Sequence, residues 1–233
     1  MKHFSNRYIF IFSAIMVIVV ATLLSLAATL LQPAQARNLE IEKKRNMLES
    51  INVEATRENT EELYEKFIKE GFVINPDGDV VEGIDAFTVV VKNEQKKPIE
   101  QQYLPVFRAE PDDGENVIIV PVEGKGLWGP IYGYVSLKSD MNTIYGTNFD
   151  HKSETPGLGA EINTTEFESQ FKGKKIYENG GFTSVQVIKG GAKENDPHGV
   201  DAISGGTITS KGLQKMIFDC LTKYNGYFQK NRI

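Results

Sequence analysis

Residues 201–213, with the sequence DAISGGTITSKGL, combine small, hydroxyl and basic residues directly before a periodic apolar segment. The candidate binding residues in this segment are Ser204, Gly205, Gly206, Thr207, Thr209, Ser210 and Lys211. Glycines let a backbone approach a ligand closely or adopt positive φ. A helix that begins near Thr209 or Ser210 would attract an anion with its free N–H groups and its dipole, and Lys211 would lie near that anion. The segment therefore predicts a phosphate site, with a simple Ser/Thr helix cap after a glycine turn as the alternative.

Two other segments have a similar mixture of glycine, hydroxyl and aromatic residues, namely 124–134 (GKGLWGPIYGY) and 151–160 (HKSETPGLGA). Each lies at the end of an expected strand, where binding sites are usually built. His151 and His198, each followed three residues later by a carboxylate, could ligate a metal if the fold joined them. Neither pair has the helical spacing of H-E-x-x-H, so we expect loop hydrogen bonding and no metal site. Neither a Walker A sequence nor a G-x-S-x-G nucleophile turn occurs.

The elements that position these segments are mostly strands. Period-two apolar patterns predict strands at Phe72–Ile74, Ala86–Val91, Tyr103–Arg108, Val117–Val122, Leu127–Leu137, Ile144–Phe149 and Ser184–Ile188. A final helix is expected over Thr209–Phe228, with Cys220 on its apolar face as a packed core thiol. Successive strands with few helices between them favour an α+β fold on an antiparallel sheet.

The N-terminus carries a membrane signal. Residues 8–36 contain no charged side chain, and the run 9–31 would span roughly 34 Å as a helix, enough to cross a hydrocarbon core of about 30 Å. Ala34-Gln35-Ala36 resembles a signal-peptide cleavage site, but the apolar run is longer than the about 7–15 residues of such peptides. We therefore favour an uncleaved anchor. Lys2 and Arg7 place the N-terminus in the cytoplasm and the remainder outside.

Helical patterns follow the anchor. A short helix is expected over Asn38–Ile51, and a second begins at the capping box Asn59–Glu62 and ends at Gly71. The predicted organisation is a cytoplasmic tip and membrane helix (1–36), a helical connector (37–71) and a binding domain (72–233).

The charge balance excludes one class of partner. The chain has 26 Lys and Arg against 31 Asp and Glu, and since Lys2 and Arg7 precede the anchor, residues 37–233 have a net charge of −7. Phosphate-backbone binding needs a basic footprint, so we expect no nucleic-acid partner. A single cysteine excludes an intrachain disulfide and a cysteine-ligated zinc or iron–sulfur site.

The candidate phosphate segment also carries a family resemblance. Ser204–Thr207 (SGGT), preceded by Asp201 and followed by Ile-Thr-Ser, resembles the S-G-A-T flavinylation motif of bacterial FMN-binding domains. Glu154–Gly159 (ETPGLG) resembles the second flavin-side loop of that family. Together with the GKGLW segment and the N-terminal span, these motifs are similar to those of the C subunits of sodium-translocating NADH:quinone reductases. The G subunit of Rnf-type electron-transport complexes shares both flavin motifs but differs at GKGLW, and it is the alternative.

The resemblance implies that FMN is esterified through its phosphate to the Thr207 hydroxyl by a separate, magnesium-dependent flavin transferase that uses FAD. It implies isoalloxazine contacts from Glu154, Thr155, Leu158 and Trp128, and Gly206 stands where the family usually has Ala. The implied function is electron relay from NADH toward quinone, coupled to sodium export, in a bacterial inner-membrane complex with other subunits. The flavin domain would be periplasmic, and the chain would supply no catalytic residue of its own. An anchored, exported binding module without covalent flavin is the alternative from another class.

Overall fold

The computed structural model describes residues 5–232, and the chain divides into two compact units, Met1–Lys43 and Lys44–Ile233. Helix α1 (Asn6–Ser50) includes a segment long and apolar enough to cross a membrane, judged by length and composition. The predicted break before a separate helix at Asn38 was wrong, because α1 continues through Pro33. Proline removes one backbone donor, and the residues that follow Pro33 are mostly good helix formers.

Six strands form an antiparallel sheet in the order β2-β1-β3-β4-β5-β6. They are β1 (Ile68–Ile74), β2 (Val80–Val81), β3 (Leu104–Ala109), β4 (Val117–Lys125), β5 (Pro130–Lys138) and β6 (Ile144–His151). Two short pairs lie outside this sheet: antiparallel β7 (Tyr177–Glu178) with β8 (Gly181–Phe182), and parallel β9 (Gln186–Ile188) with β10 (Gly199–Asp201). The α+β class and the antiparallel sheet predicted from the sequence are confirmed.

The remaining helices are α2 (Thr60–Phe67), α3 (Val91–Glu94), α4 (Thr165–Ser169), α5 (Thr207–Lys223) and α6 (Asn225–Asn231). The strand predicted at Ala86–Val91 was wrong. The Asp85 side chain accepts a hydrogen bond from the Phe87 amide and caps a 3-10 turn there, and the Phe87 ring packs against Tyr64. The capping box predicted at Asn59 does not form, because its side chain accepts from Thr56 instead of from helix amides.

The sheet separates two apolar clusters, and the alternation of side chains along β4 shows how. Ile118, Val120 and Val122 point into the cluster on one face, whereas Val117 and Ile119 point into the cluster on the other. The first cluster is covered by α5, whose buried residues repeat at helical spacing: Leu213, Met216, Ile217, Cys220 and Leu221. The second is covered by Met47 and Leu48 at the end of α1, by Ile51 just after it, and by Phe67 of α2.

Helix α5 lies very close to the end of β4. A side chain at Gly212 would collide with the Lys125 carbonyl, so only glycine allows this approach. The predicted single helix over Thr209–Phe228 is divided at Tyr224, and α5 begins two residues earlier than predicted. The N-terminal half of α5 is thereby set beside the end of β4.

Candidate functional site

A cleft of about 250 Å³ lies where the three segments singled out from the sequence meet. The first segment runs from the end of β4 into β5, and the second begins at the end of β6. The third contains the two glycines before α5 and the start of that helix. The lining residues are Leu127, Trp128, Glu154, Thr155, Leu158, Gly159, Gly205, Gly206, Thr207, Ile208 and Thr209. The fold therefore brings together the predicted site residues other than Ser204, Ser210 and Lys211, and it adds Gly159 beside Thr209.

The first turn of α5 presents an anion-binding geometry to this cleft. Gly206 is the N-cap residue and has no side chain with which to accept the first amide protons of the helix, so these amides stay available to a ligand. Thr207 is the first helical residue and is half-buried at the cleft wall. Gly205 has φ +73°, the left-handed conformation expected of one of the two glycines. This arrangement suits a phosphate held next to the Thr207 hydroxyl.

Glu154 connects all three segments. Its Oε2 accepts a hydrogen bond of 2.6 Å from the Thr209 hydroxyl on α5, and its Oε1 accepts from the amides of Trp128 (2.8 Å) and Gly129 (3.3 Å). The side chain is only 5% exposed. Burial by itself raises the pKa of the Glu154 carboxyl, but the hydrogen bonds from Thr209, Trp128 and Gly129 outweigh it and hold the pKa below the ordinary 4.5. Glu154 is therefore an ionised, fully engaged carboxylate at neutral pH.

Three residues of the phosphate segment lie outside the cleft lining. Ser204 is exposed, and the buried Ser210 hydroxyl accepts a hydrogen bond of 3.1 Å from the Ile203 amide. The Lys211 ammonium donates to the Val187 carbonyl (2.8 Å) and to the Gln214 side chain (2.9 Å). Contrary to the sequence expectation, Lys211 is thus directed toward β9 and not toward the first turn of α5.

The rim of the cleft is apolar and exposed. Trp128 is 67% exposed and Ile208 is 60% exposed, and both lie beside the partly exposed Leu127 and Leu158. Sequence reasoning missed Leu127, Gly159 and Ile208. Ile208 could have been recognised from the sequence, because it lies off the apolar face of α5 that Leu213, Met216 and Ile217 define. Exposed apolar side chains around a polar floor suit an aromatic ring system.

The two histidines considered as metal ligands have separate roles. His151 Nδ1 accepts a hydrogen bond of 3.3 Å from the Glu154 amide, and His198 Nδ1 lies 2.6 Å from the Lys175 carbonyl oxygen. Within residues 5–232, no group of three or more histidine, cysteine, aspartate or glutamate side chains has a metal-binding arrangement.

The residues of the cleft fit FMN. An uncapped helix N-terminus suits its phosphate, and the apolar rim suits its ring. The volume of 250 Å³ lies just below the range for ligand pockets, which is about 300–1,000 Å³.

Comparisons with known proteins agree with this description. Residues 126–222 match the family described as FMN-binding domain, a range that contains all the lining residues. The chain is 31% identical over 213 residues to the C subunit of Na(+)-translocating NADH-quinone reductase from Vibrio vulnificus, covering 84% of this chain and 83% of that protein. It is 33% identical over 205 residues to the corresponding protein of Pasteurella multocida, covering 80% and 78%.

Solved structures give the same result. The crystal structure of the C subunit of this reductase from Parabacteroides distasonis matches with a TM-score of 0.78 at 44% identity, covering 85% of this chain and 96% of that one. The structure of Shewanella oneidensis NqrC matches with a TM-score of 0.72 at 30% identity, covering 82% and 96%. These similarities extend over most of the chain, and they favour the first of the two families considered from the sequence. The chain belongs to the family of the C subunits of Na(+)-translocating NADH-quinone reductases, electron-transfer flavoprotein components of that enzyme complex.

Proposed function

We propose that this chain carries FMN covalently, as a phosphoester of the Thr207 hydroxyl, and relays electrons through it from NADH toward quinone in a sodium-exporting complex. The observation that carries the proposal is the position of Thr207. It is the first residue of a 17-residue helix whose N-cap is a glycine. It also lines the cleft in which segments 124–134, 151–160 and 201–213 meet. A phosphate joined to this hydroxyl would lie at the uncapped amides of α5.

The attachment reaction is a phosphoryl transfer. The new bond joins Thr207 Oγ1 to the flavin-side phosphorus of FAD, and the bond between that phosphorus and the bridging oxygen breaks. AMP leaves with the electron pair of the broken bond, and the hydroxyl proton passes to a base of the flavin transferase. Magnesium on that transferase would neutralise the developing charge on the phosphates. Thr207 is thus an attachment point that another enzyme activates.

The chain's own residues bind and orient the cofactor, whereas FMN supplies the redox chemistry when bound. The first amides of α5 hold the phosphate end. Trp128, Leu158 and Thr155 offer apolar and hydrogen-bonding contacts to the ring end, because they line the same cleft. A covalent link has a physical advantage for an exported domain, since a dissociating flavin would be diluted into the medium.

The N-terminal helix anchors the protein in the bacterial inner membrane as an uncleaved span. Supporting this, α1 runs without interruption through Ala34–Ala36, the segment that resembles a cleavage site. Lys2 and Arg7 favour a cytoplasmic N-terminus and a periplasmic flavin domain. Since residues 8–36 carry no charged side chain, the sodium pathway belongs to other subunits of the complex.

Intact mass of the full-length chain tests the proposal. Co-expression with a flavin transferase and magnesium should add one FMN phosphoryl group to the wild type, and Thr207→Ala should abolish the addition. Thr222→Ala is the matched control, since Thr222 lies on the same helix and its hydroxyl only bonds the Phe218 carbonyl. An adduct that persists in Thr207→Ala would refute the attachment site. A wild-type chain without any adduct would favour the binding module, and co-purification of the other subunits tests membership of the complex.

A further inference from the structure

The Glu154 carboxylate, which belongs to the second segment of the cleft, accepts hydrogen bonds from both of the other segments. The family resemblance implies that this residue contacts the flavin ring, but both of its oxygens already accept hydrogen bonds from the chain, from Thr209 on α5 and from Trp128 and Gly129 after β4. The side chain is nearly inaccessible to solvent, at 5% exposure. A carboxylate with this set of internal donors acts on a ligand through its position and its charge, not through a direct contact.

Resting on the proposed function, we propose that Glu154 is a positioning residue of the flavin site: it fixes the first turn of α5 to the residues after β4, and its buried negative charge lowers the reduction potential of the attached flavin.

The positioning role follows from where the donors lie. Thr209 is two residues after Thr207, so a bond that holds its hydroxyl also fixes the turn that presents the attachment oxygen. The surroundings leave little freedom to the carboxylate. A side-chain carbon at Gly126 would lie only 2.5 Å from Glu154 Oε1, and one at Gly159 would lie 2.5 Å from Oε2. Glu154 is thus held in a niche that orders all three segments.

The electrostatic role follows from burial. The carboxylate lies in the cleft wall with 5% of its surface accessible, so water screens its charge less than it screens an exposed carboxylate. Reduction adds negative charge to the flavin, and a fixed negative charge in the same cleft opposes that addition. Charges near a flavin are among the means by which a protein sets its electronics. Removing this charge should therefore make the flavin easier to reduce.

The variant Glu154→Gln separates charge from geometry. The amide oxygen of glutamine can accept from the Trp128 and Gly129 amides, and its NH₂ group can donate to the Thr209 oxygen after the hydroxyl rotates. A redox titration of the flavin-bearing fraction of the full-length protein should show at least a threefold shift toward reduced flavin at a fixed ambient potential. For a two-electron couple this shift is about 14 mV.

The control for charge is Glu161→Gln. The Glu161 carboxylate accepts from the Gly157 amide in the neighbouring turn, in an exposed hydrogen bond, so solvent screens it more strongly. The shift in flavin reduction in Glu161→Gln should be less than half of that in Glu154→Gln. A wild-type potential in Glu154→Gln, or an equal shift in both variants, would overturn the electrostatic part of the proposal.

The positioning part is tested at Thr209. Thr209→Val removes the donor to Glu154 while keeping the shape of the side chain, and it should slow FMN attachment to the full-length chain at least fivefold. Thr209→Ser keeps the hydroxyl and should restore the rate to within twofold of wild type. Equal rates in Thr209→Val and wild type would overturn the positioning role, and this pair decides the matter even where Glu154→Gln does not fold. Absence of the adduct in the wild type would refute the proposed function. The comparisons between variants test the role of Glu154 separately, because they are made on protein that carries the adduct.

Discussion

Replacing Gly206 by alanine gives this chain the residue that the flavinylation motif usually has, and the structure predicts that the change destabilises it. The added Cβ would lie 2.9 Å from Ile203 Cγ2 and 3.1 Å from the Leu158 carbonyl oxygen. Backbone strain does not contribute, because Gly206 has φ −98° and ψ 27°. Overpacking of this kind costs about 1–3 kcal/mol, and alanine is a poorer N-cap residue than glycine. Ile203 is only half-buried and can move, so we expect a loss of about 1–2 kcal/mol in the free energy of unfolding.

Thermal unfolding of the full-length protein in detergent measures this loss. For a domain of this size, 1–2 kcal/mol corresponds to a decrease in Tm of about 2–8 °C. Ile203→Leu removes the branched methyl that the new Cβ meets, so the double variant Gly206→Ala/Ile203→Leu should recover at least half of the decrease relative to Ile203→Leu alone. An unchanged Tm in Gly206→Ala, or equal losses in both backgrounds, would refute the steric argument. The same proteins show whether the transferase reads the alanine methyl, since the rate of FMN attachment would then rise in Gly206→Ala.

Three further predictions concern pH and buried contacts. Burial, with the nearby Glu49 and Asp150 carboxylates, raises the pKa of Glu168 to about 7 despite its bond from the Phe149 amide. The folded protein therefore keeps a proton that the unfolded chain loses near pH 4.5. After discounting for solvent screening, the free energy of unfolding should fall by about 1–2 kcal/mol from pH 5 to pH 8. In Glu168→Gln, the urea midpoint should change less with pH over this range. The lowered pKa of Glu154 acts in the opposite sense: its stabilisation is present above pH 4.5 and is lost below it, and an acid titration of Glu154→Gln should lack this component. Ser136→Ala removes the buried 2.8 Å bond between the hydroxyls of Ser136 and Ser50 and should cost about 1 kcal/mol in urea unfolding, with little added loss in the double variant Ser136→Ala/Ser50→Ala.

The strands and the amphipathic helix could be predicted because their signals are local. The spacing of Leu213, Met216, Ile217 and Cys220 defines the buried face of α5 without any knowledge of what it packs against. The strand prediction at Ala86–Val91 was wrong because another local signal was overlooked. The apolar pattern of this segment suits a strand, but a single side chain, Asp85, caps a turn at its start. Local capping chemistry overrode the pattern.

The composition of the cleft could be predicted, but its contacts could not. Trp128 and Thr209 lie 26 and 55 residues from Glu154 along the chain, and nothing in their spacing shows that one carboxylate binds both. Glu154 therefore looked free to bind a ligand. In the same way, Lys211 looked like a partner for a phosphate, because the carbonyl of Val187 that holds it belongs to a strand from another part of the chain.

The packing of α5 against the sheet also determines how a flavin at Thr207 could exchange electrons. Some carriers place their group on a long flexible arm that visits several sites in turn. Here the proposed attachment oxygen, that of Thr207, belongs to a helix that is packed into the main apolar cluster, with Leu213, Ile217 and Leu221 fully inaccessible. The reach of the cofactor would be limited to its own ribityl chain. Donor and acceptor must then approach one fixed docking point, and switching between them requires the whole domain, not a tether, to change its neighbours.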